Sequence, residues 1–223
     1  MEKYNYRKDP HQDIDHVFRD LLPAHGMVER PAQVELSHQM LDTMLNGSIA
    51  LCDAGTGIGK TYAYLVAGVV LRRYRSRAGL PNQPLLISTS SIALQGAIIH
   101  DYLPFLSKVM MADGMLDSPL RAVLRKGKSH YVCDARLMKR LQTANLDRKN
   151  PLAKAALLSM RDHLDLDMAP HLSGYDRERI CVPPTCDCGK TECRYLCYLD
   201  VCASERYAIQ VCNHNLLLAD AIH

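Results

Sequence analysis

The chain has 223 residues, 48% of them hydrophobic and 23% charged, with a formal net charge of +3. This is the make-up of a globular protein long enough to bury one ordinary core, or one core carrying an insertion. The longest apolar run (65–71) falls far short of the roughly 18 residues a membrane helix needs, the polar start argues against a secretory signal, and so mild a charge does not by itself point to nucleic acid. A cytoplasmic protein with no membrane partner is expected.

Residues 1–27 read as a polar extension with one short helix over 11–22, ended by Pro23 and Gly26. From Pro31 to Leu45 the apolar positions Val34, Leu36, Met40, Leu41, Met44 and Leu45 recur at helical spacing, Pro31 suits a first turn, and Asn46-Gly47 stops the helix. The apolar run 48–52 predicts a buried strand, and the pattern after the loop at 53–59 predicts a helix over 60–75. Residues 81–84 read as a linker, 85–88 as a second strand and 91–106 as a helix. Strand–helix alternation of this kind argues for a parallel sheet covered by helices.

The character changes near Arg121. From there to Arg206 the chain is basic, then helical and polar, then cysteine-rich, with no strand pattern. Residues 208–212 again resemble a buried strand. The expected organisation is an extension at 1–27, an α/β domain at 28–120, an insertion at 121–205 and a return to the α/β domain at 206–223.

The loop Ala54-Gly55-Thr56-Gly57-Ile58-Gly59-Lys60-Thr61 lies between a predicted strand and a predicted helix. In that setting consecutive backbone N–H groups line a concavity, and the helix adds its positive end, so phosphates bind there. Glycine permits the positive φ such a loop requires. Lys60 would reach the β- and γ-phosphates of a nucleoside triphosphate, and Thr61 would hold Mg²⁺.

Six of the nine cysteines, Cys181, Cys186, Cys188, Cys193, Cys197 and Cys202, fall within 22 residues. In a chain with no secretory signal, reduced thiolates holding a metal are a better reading than a disulfide framework. Cys52 and Cys212 lie in predicted strands and read as buried apolar residues.

Several further segments carry a family resemblance. Glu29-Arg30-Pro31-Ala32-Gln33 resembles the Arg-x-x-Gln adenine-reading motif of superfamily 2 helicases. The stretch 53–61 resembles the Glu/Asp-Ala-Gly-Thr-Gly-x-Gly-Lys-Thr loop of the DinG/XPD branch. Ser88-Thr89-Ser90-Ser91-Ile92-Ala93-Leu94-Gln95 is similar to that branch's Ser-Thr-x-x-x-x-Leu-Gln motif, which touches single-stranded DNA. Lys126-Gly127-Lys128-Ser129-His130-Tyr131-Val132-Cys133 matches its lead-in to a first cluster cysteine, and Cys212-Asn213-His214-Asn215-Leu216-Leu217 its Asn-His-x-Leu-Leu segment.

The chain is therefore identified as resembling the amino-terminal part of a DinG/XPD-like helicase. The resemblance implies a RecA-like P-loop domain with a parallel sheet, interrupted by a mainly helical, cysteine-rich insertion. It implies ATP and Mg²⁺ as cofactors, with Gln33 reading adenine and Ala54, Gly55, Thr56, Gly57, Ile58, Gly59, Lys60 and Thr61 binding phosphates and metal. Single-stranded DNA, a forked duplex or an RNA–DNA hybrid is the implied partner, and 5′-to-3′ unwinding the implied activity. The family's Asp-Glu-Ala-His box follows the Asn-His segment. None stands before His223, so no catalytic residue is assigned, and the expectation is a fragment that holds nucleotide and hydrolyses it poorly without a further motor domain or a larger complex. A binding module without turnover, such as an accessory protein of a CRISPR-associated complex, is the alternative.

For the cysteines the resemblance implies a four-iron four-sulfur cluster on Cys133, Cys188, Cys193 and Cys197, with Cys186 and Cys202 able to replace a neighbour. The helical excursion between them covers 137–166. Zinc on Cys186, Cys188, Cys193 and Cys197, or a metal-free domain, remain open. Arg121, Arg125, Lys126, Lys128, Arg136, Lys139 and Arg140 would grip a phosphate backbone, with Tyr131 stacking a base; a solvated helix face is the bland reading. Arg72, Arg73, Arg75 and Arg77 read as cations favoured at a helix carboxyl end. His214 reads either as a relay between nucleotide and DNA or as a satisfied core histidine beside a strand end.

Overall fold

The computed structural model describes residues 9–143, 151–186, 188–189 and 193–222. The chain forms two compact units, one of Met1–Leu124 with Ser204–His214 and one of Arg125–Ala203 with Asn215–His223.

The first unit opens with α1 (Pro10–His16), started by Asp9, whose carboxylate accepts from His11 N at 3.0 Å. Helix α1 continues through a π turn (Val17–Leu21) into α2 (Leu22–Ala24), and Gly26 turns the chain at φ 86°. Ile14, Val17, Phe18 and Leu22 are buried in the main core. The segment expected as a polar extension therefore covers a face of the domain.

Helix α3 (Pro31–Leu45) has the bounds its apolar spacing predicts, with Pro31 in the first turn and Gly47 after the last. Helix α4 (Lys60–Arg77) buries Ala63 and Leu65–Val70 without interruption. A helical stretch apolar on all sides, as 65–70 is, belongs inside a protein. One side of α4 meets α1 and α3. The other lies so close to β1 (Leu85–Ser88) that a Cβ on Gly68 would stand 2.4 Å from Leu85 Cδ2.

After β1, Ser91 caps α5 (Ile92–Ala97) by accepting from Leu94 N at 3.1 Å. A π turn (Ile98–Tyr102) joins α5 to α6 (Leu103–Ala112). Strand β2 (Ala122–Leu124) follows. The second unit intervenes with α7 (Asp134–Thr143), α8 (Pro151–Ser159), α9 (Gly174–Ile180) and α10 (Arg194–Ala203). The chain then returns as β3 (Ile209–Cys212) and ends the described region in α11 (His214–Ile222). The sheet is parallel throughout, in the order β1-β3-β2, with Leu85 and Ala122 both opposite Ile209. Every residue of β3 is buried, as a central strand requires. The fold class is α/β with a parallel sheet.

Three expectations are corrected here. Residues 48–52 form no strand: Ile49 is 94% exposed and Leu51 99%. An apolar run becomes a strand only where a neighbour offers its backbone N–H and C=O groups, and the three-stranded ladder does not include this segment. Cys52 is accordingly exposed, not buried. Conversely β2, only three residues long, shows no alternation to read and lies in the stretch where no strand was expected.

In the second unit Val132, Leu137, Leu157, Met160, Leu166 and Ile180 form the core. Single antiparallel bridges join Tyr131 to Asp165 and Val132 to Cys181. The excursion at 137–166 is helical in α7 and α8, and its residues 144–150 lie outside the described residues. No helix of the described residues is long and apolar enough to cross a membrane.

Candidate functional site

The glycine-rich loop ends where α4 begins. Gly57 and Gly59 take φ of 86° and 90°, so the chain reverses twice before the helix axis is set. Three side chains hold the loop's carbonyl groups. Lys60 Nζ donates to Ala54 O and Gly55 O, each at 2.8 Å. Gln33 Nε2 donates to Gly59 O at 2.7 Å, and Arg30 Nη1 to Gly57 O. The backbone N–H groups of Gly57, Gly59 and Lys60 donate to no acceptor among the described residues. Carbonyl oxygens are thus turned toward cationic and amide donors, and N–H groups remain unpaired at the positive end of an 18-residue helix. That polarity suits an anion.

Gln33, expected to read adenine, is 3% exposed and bonded to the loop. Arg30, the first residue of the same Arg-x-x-Gln motif, holds Gly57. Its signal was present in the Arg-x-x-Gln spacing, which sets both donors one turn apart at the start of α3.

A second group of motif residues meets at the carboxyl ends of β1 and β3. Thr89 N donates to Cys212 O at 3.0 Å, and Gln95 Nε2 to Thr89 O at 3.1 Å. Ser88 Oγ and His214 Nδ1 lie 2.7 Å apart. His214 is exposed, so it is not the core histidine of the bland reading, although its Nδ1 has a partner in Ser88 at the strand end.

In the second unit most of the expected DNA-gripping cations are engaged internally. Lys126 Nζ bonds Asp165 at 2.6 Å and Asp167 at 2.7 Å, Arg140 Nε bonds Asp176 at 2.7 Å, and Arg136 Nη1 donates to Cys181 O at 3.2 Å. The Lys126 hydrogen bond, joined by Arg177, holds the Asp167 carboxyl at about 2 against partial burial. Burial works against the Lys126 charge, yet its bonds to Asp165 and Asp167 raise its value. Charge counting from sequence overestimates this patch as a phosphate grip. Tyr131 cannot stack a base in this arrangement: it is 3% exposed and packed against Tyr195 and Tyr198. Its hydroxyl accepts from Lys126 N at 3.1 Å, and burial pushes it up. The spacing of the three tyrosines gave no warning, because 131 and 195 lie far apart in sequence.

Among the described residues no three ligand-type side chains meet closely enough to hold a metal. Cys188 nevertheless feels its neighbours. The Cys186 thiol, through a hydrogen bond and its charge, and then Cys133 and Cys193, push Cys188 up to about 11. Thiolates are soft donors of the kind an iron–sulfur cluster or zinc takes, but among the described residues the structure does not bring Cys133, Cys188, Cys193 and Cys197 together as a ligand set. Cys133 is buried beside Tyr131 and Val182, while Cys197 is exposed on α10.

No protein-family model matches the chain. It is 30% identical over 139 residues to the 3′-5′ exonuclease DinG of Bacillus subtilis, an overlap of 62% of this chain and 13% of that protein. It is 30% identical over 129 residues to the ATP-dependent DNA helicase YoaA of Haemophilus influenzae, and 29% over 128 residues to the ATP-dependent helicase DinG of Mycobacterium tuberculosis. Those overlaps cover 58% and 57% of this chain, and each covers 18% of the relative. The chain thus spans less than a fifth of the length of these relatives. The resemblance read from the motifs is borne out: the chain is similar to the amino-terminal region of DinG-like helicases.

Proposed function

We propose that this chain is the nucleotide-binding, amino-terminal part of an ATP-dependent 5′-to-3′ DNA helicase, with a RecA-like first unit and a P-loop at 54–61. The observation that carries this reading is the polarity of the glycine-rich loop, whose carbonyls are held by Lys60, Arg30 and Gln33 while Gly57, Gly59 and Lys60 keep unpaired N–H groups. ATP would place its β- and γ-phosphates there. Lys60 would leave the loop carbonyls to neutralise them, and Thr61 would bind Mg²⁺. Gln33 is close enough to the loop to report its occupancy, and adenine recognition requires it to exchange its bond to Gly59.

Residues 28–120 and 206–223 form the motor domain in this reading and 121–205 its insertion, with β2 (Ala122–Leu124), paired to β3, counted on the motor-domain side. Single-stranded DNA would run over the carboxyl ends of β1 and β3, where Thr89, Gln95 and His214 stand. A four-iron cluster on Cys133, Cys188, Cys193 and Cys197 would tie the two ends of the insertion together. Cys186 and Cys202 stand near enough in sequence for each to replace a neighbour as a ligand. Equilibrium dialysis with labelled ATP tests the proposal. It requires a saturable, Mg²⁺-tightened site that Lys60→Ala removes; absence of such a site sinks it.

A further inference from the structure

The first unit contains a cavity of about 830 Å³ remote from the glycine-rich loop. It lies at the amino-terminal ends of β2 and β3, against the last turns of α4. The loop sits at the other end of that 18-residue helix, about 27 Å away at 1.5 Å per residue. Arginines dominate the lining: Arg72, Arg73 and Arg77 from α4, Arg121 before β2 and Arg206 before β3, against the carboxylates of Asp117 and Glu205.

The partners of these groups decide what the cavity offers. Arg73 Nε and Arg77 Nη1 turn toward the buried Asp13 at 3.5 and 3.2 Å. Arg72 Nη2 donates to Glu205 O at 2.5 Å, while its Nη1 is buried and meets no acceptor among the described residues. The side chains of Arg121 and Arg206 have neither ion pair nor hydrogen bond among those residues. Glu205 Oε1 is already taken by Asn82 N at 3.0 Å, which leaves Asp117 as the one lining carboxylate without a partner among the described residues. Three guanidinium groups with open donors therefore face two carboxylates, since Glu205 keeps its charge and its second oxygen, and the cations remain in excess. Guanidinium forks match phosphate oxygens in pairs, and a volume of this size holds more than a bare phosphate ion.

We infer that this cavity is a second anion site, which takes the phosphate of a nucleotide, free or within a single strand, through Arg72, Arg121 and Arg206. It is independent of the glycine-rich loop, so its failure and that of the loop reading are distinguishable.

The test uses the full chain carrying Lys60→Ala, to silence the loop, and inorganic pyrophosphate as the calorimetric probe. Saturable binding is expected, weakened by about tenfold or more when Arg121→Ala and Arg206→Ala are added. Both side chains are exposed, and thermal melting checks that the fold persists; Arg121→Glu alone serves if the combined variant melts early, with the same weakening expected. Displacement of pyrophosphate by AMP identifies a free nucleotide as the occupant, and displacement by a thymidine decamer alone identifies a strand. Pyrophosphate affinity unchanged by the arginine substitutions, or displacement by neither competitor, overturns the inference.

Discussion

Gln33 Nε2 donates to the Gly59 carbonyl at 2.7 Å, and Gly59 stands at φ 90° at the amino end of α4. The two residues explain each other. A Cβ on Gly59 would stand 2.1 Å from Gln33 Nε2, so the glycine makes room for the amide that holds it. Glycine also supplies the left-handed conformation at no steric cost.

Gly59→Ala is therefore expected to lower stability by about 1–2 kcal/mol from the backbone conformation alone, and to displace Gln33 as well. Gly55→Ala meets only ordinary contact, 3.8 Å from Ile58 Cδ1, and should change stability by less than about 0.5 kcal/mol. Urea unfolding of both variants checks the contrast. Equal midpoints would mean that the Gln33–Gly59 clamp does not form in solution.

Asp13 is 1% exposed and faces Arg73 and Arg77, joining α1 to the end of α4. Removing one side of such a buried pair leaves charge without compensation. Asp13→Ala should cost about 3–5 kcal/mol. Asp15→Ala breaks only the exposed pair with Arg19 and the contact with His38, and should cost about 1 kcal/mol or less. Chemical denaturation measures both.

The Lys126–Asp167 contact carries a pH signature. Asp167 is depressed from 3.8 to about 2, so its stabilisation is fully present above the unfolded value and is lost as pH falls toward the folded one. Lys126 is raised, so its share is present below 10.5 and is lost as pH rises through its folded value. Wild type should lose stability between pH 4 and 2 more steeply than Asp167→Asn. Parallel acid limbs would remove Asp167 from the account.

The proposed four-iron cluster yields a metal prediction. Chain purified without oxygen should be brown and contain iron and sulfide, and Cys133→Ser should bleach it. Protease should then cut the second unit faster, because metal-binding energy is also folding energy. A colourless protein with about one zinc per chain that tolerates Cys133→Ser would assign the site to zinc.

How much of this was legible depends on where each structure draws its support. The bounds of α3 and β1 followed from local signals, Pro31, Asn46-Gly47 and a short apolar run, and the glycine-rich loop from a single motif. Residues 48–52 misled because a strand's existence depends on a neighbour that local sequence does not name. The basic stretch misled for a related reason: Asp165, Asp167 and Asp176 neutralise Lys126 and Arg140 from about 36–41 residues away, a pairing no charge window contains. Tyr131 likewise looked free until Tyr195 and Tyr198 closed over it.

The central claim is that the loop at 54–61 binds the phosphates of ATP, with Lys60 as the cation that reaches them. Calorimetric titration of Mg·ATP into wild type and Lys60→Ala tests it most directly. Lys60 holds only exposed loop carbonyls, so the variant should fold like wild type while its affinity for ATP falls by about tenfold or more. Equal affinity of the two proteins for ATP would contradict the assignment.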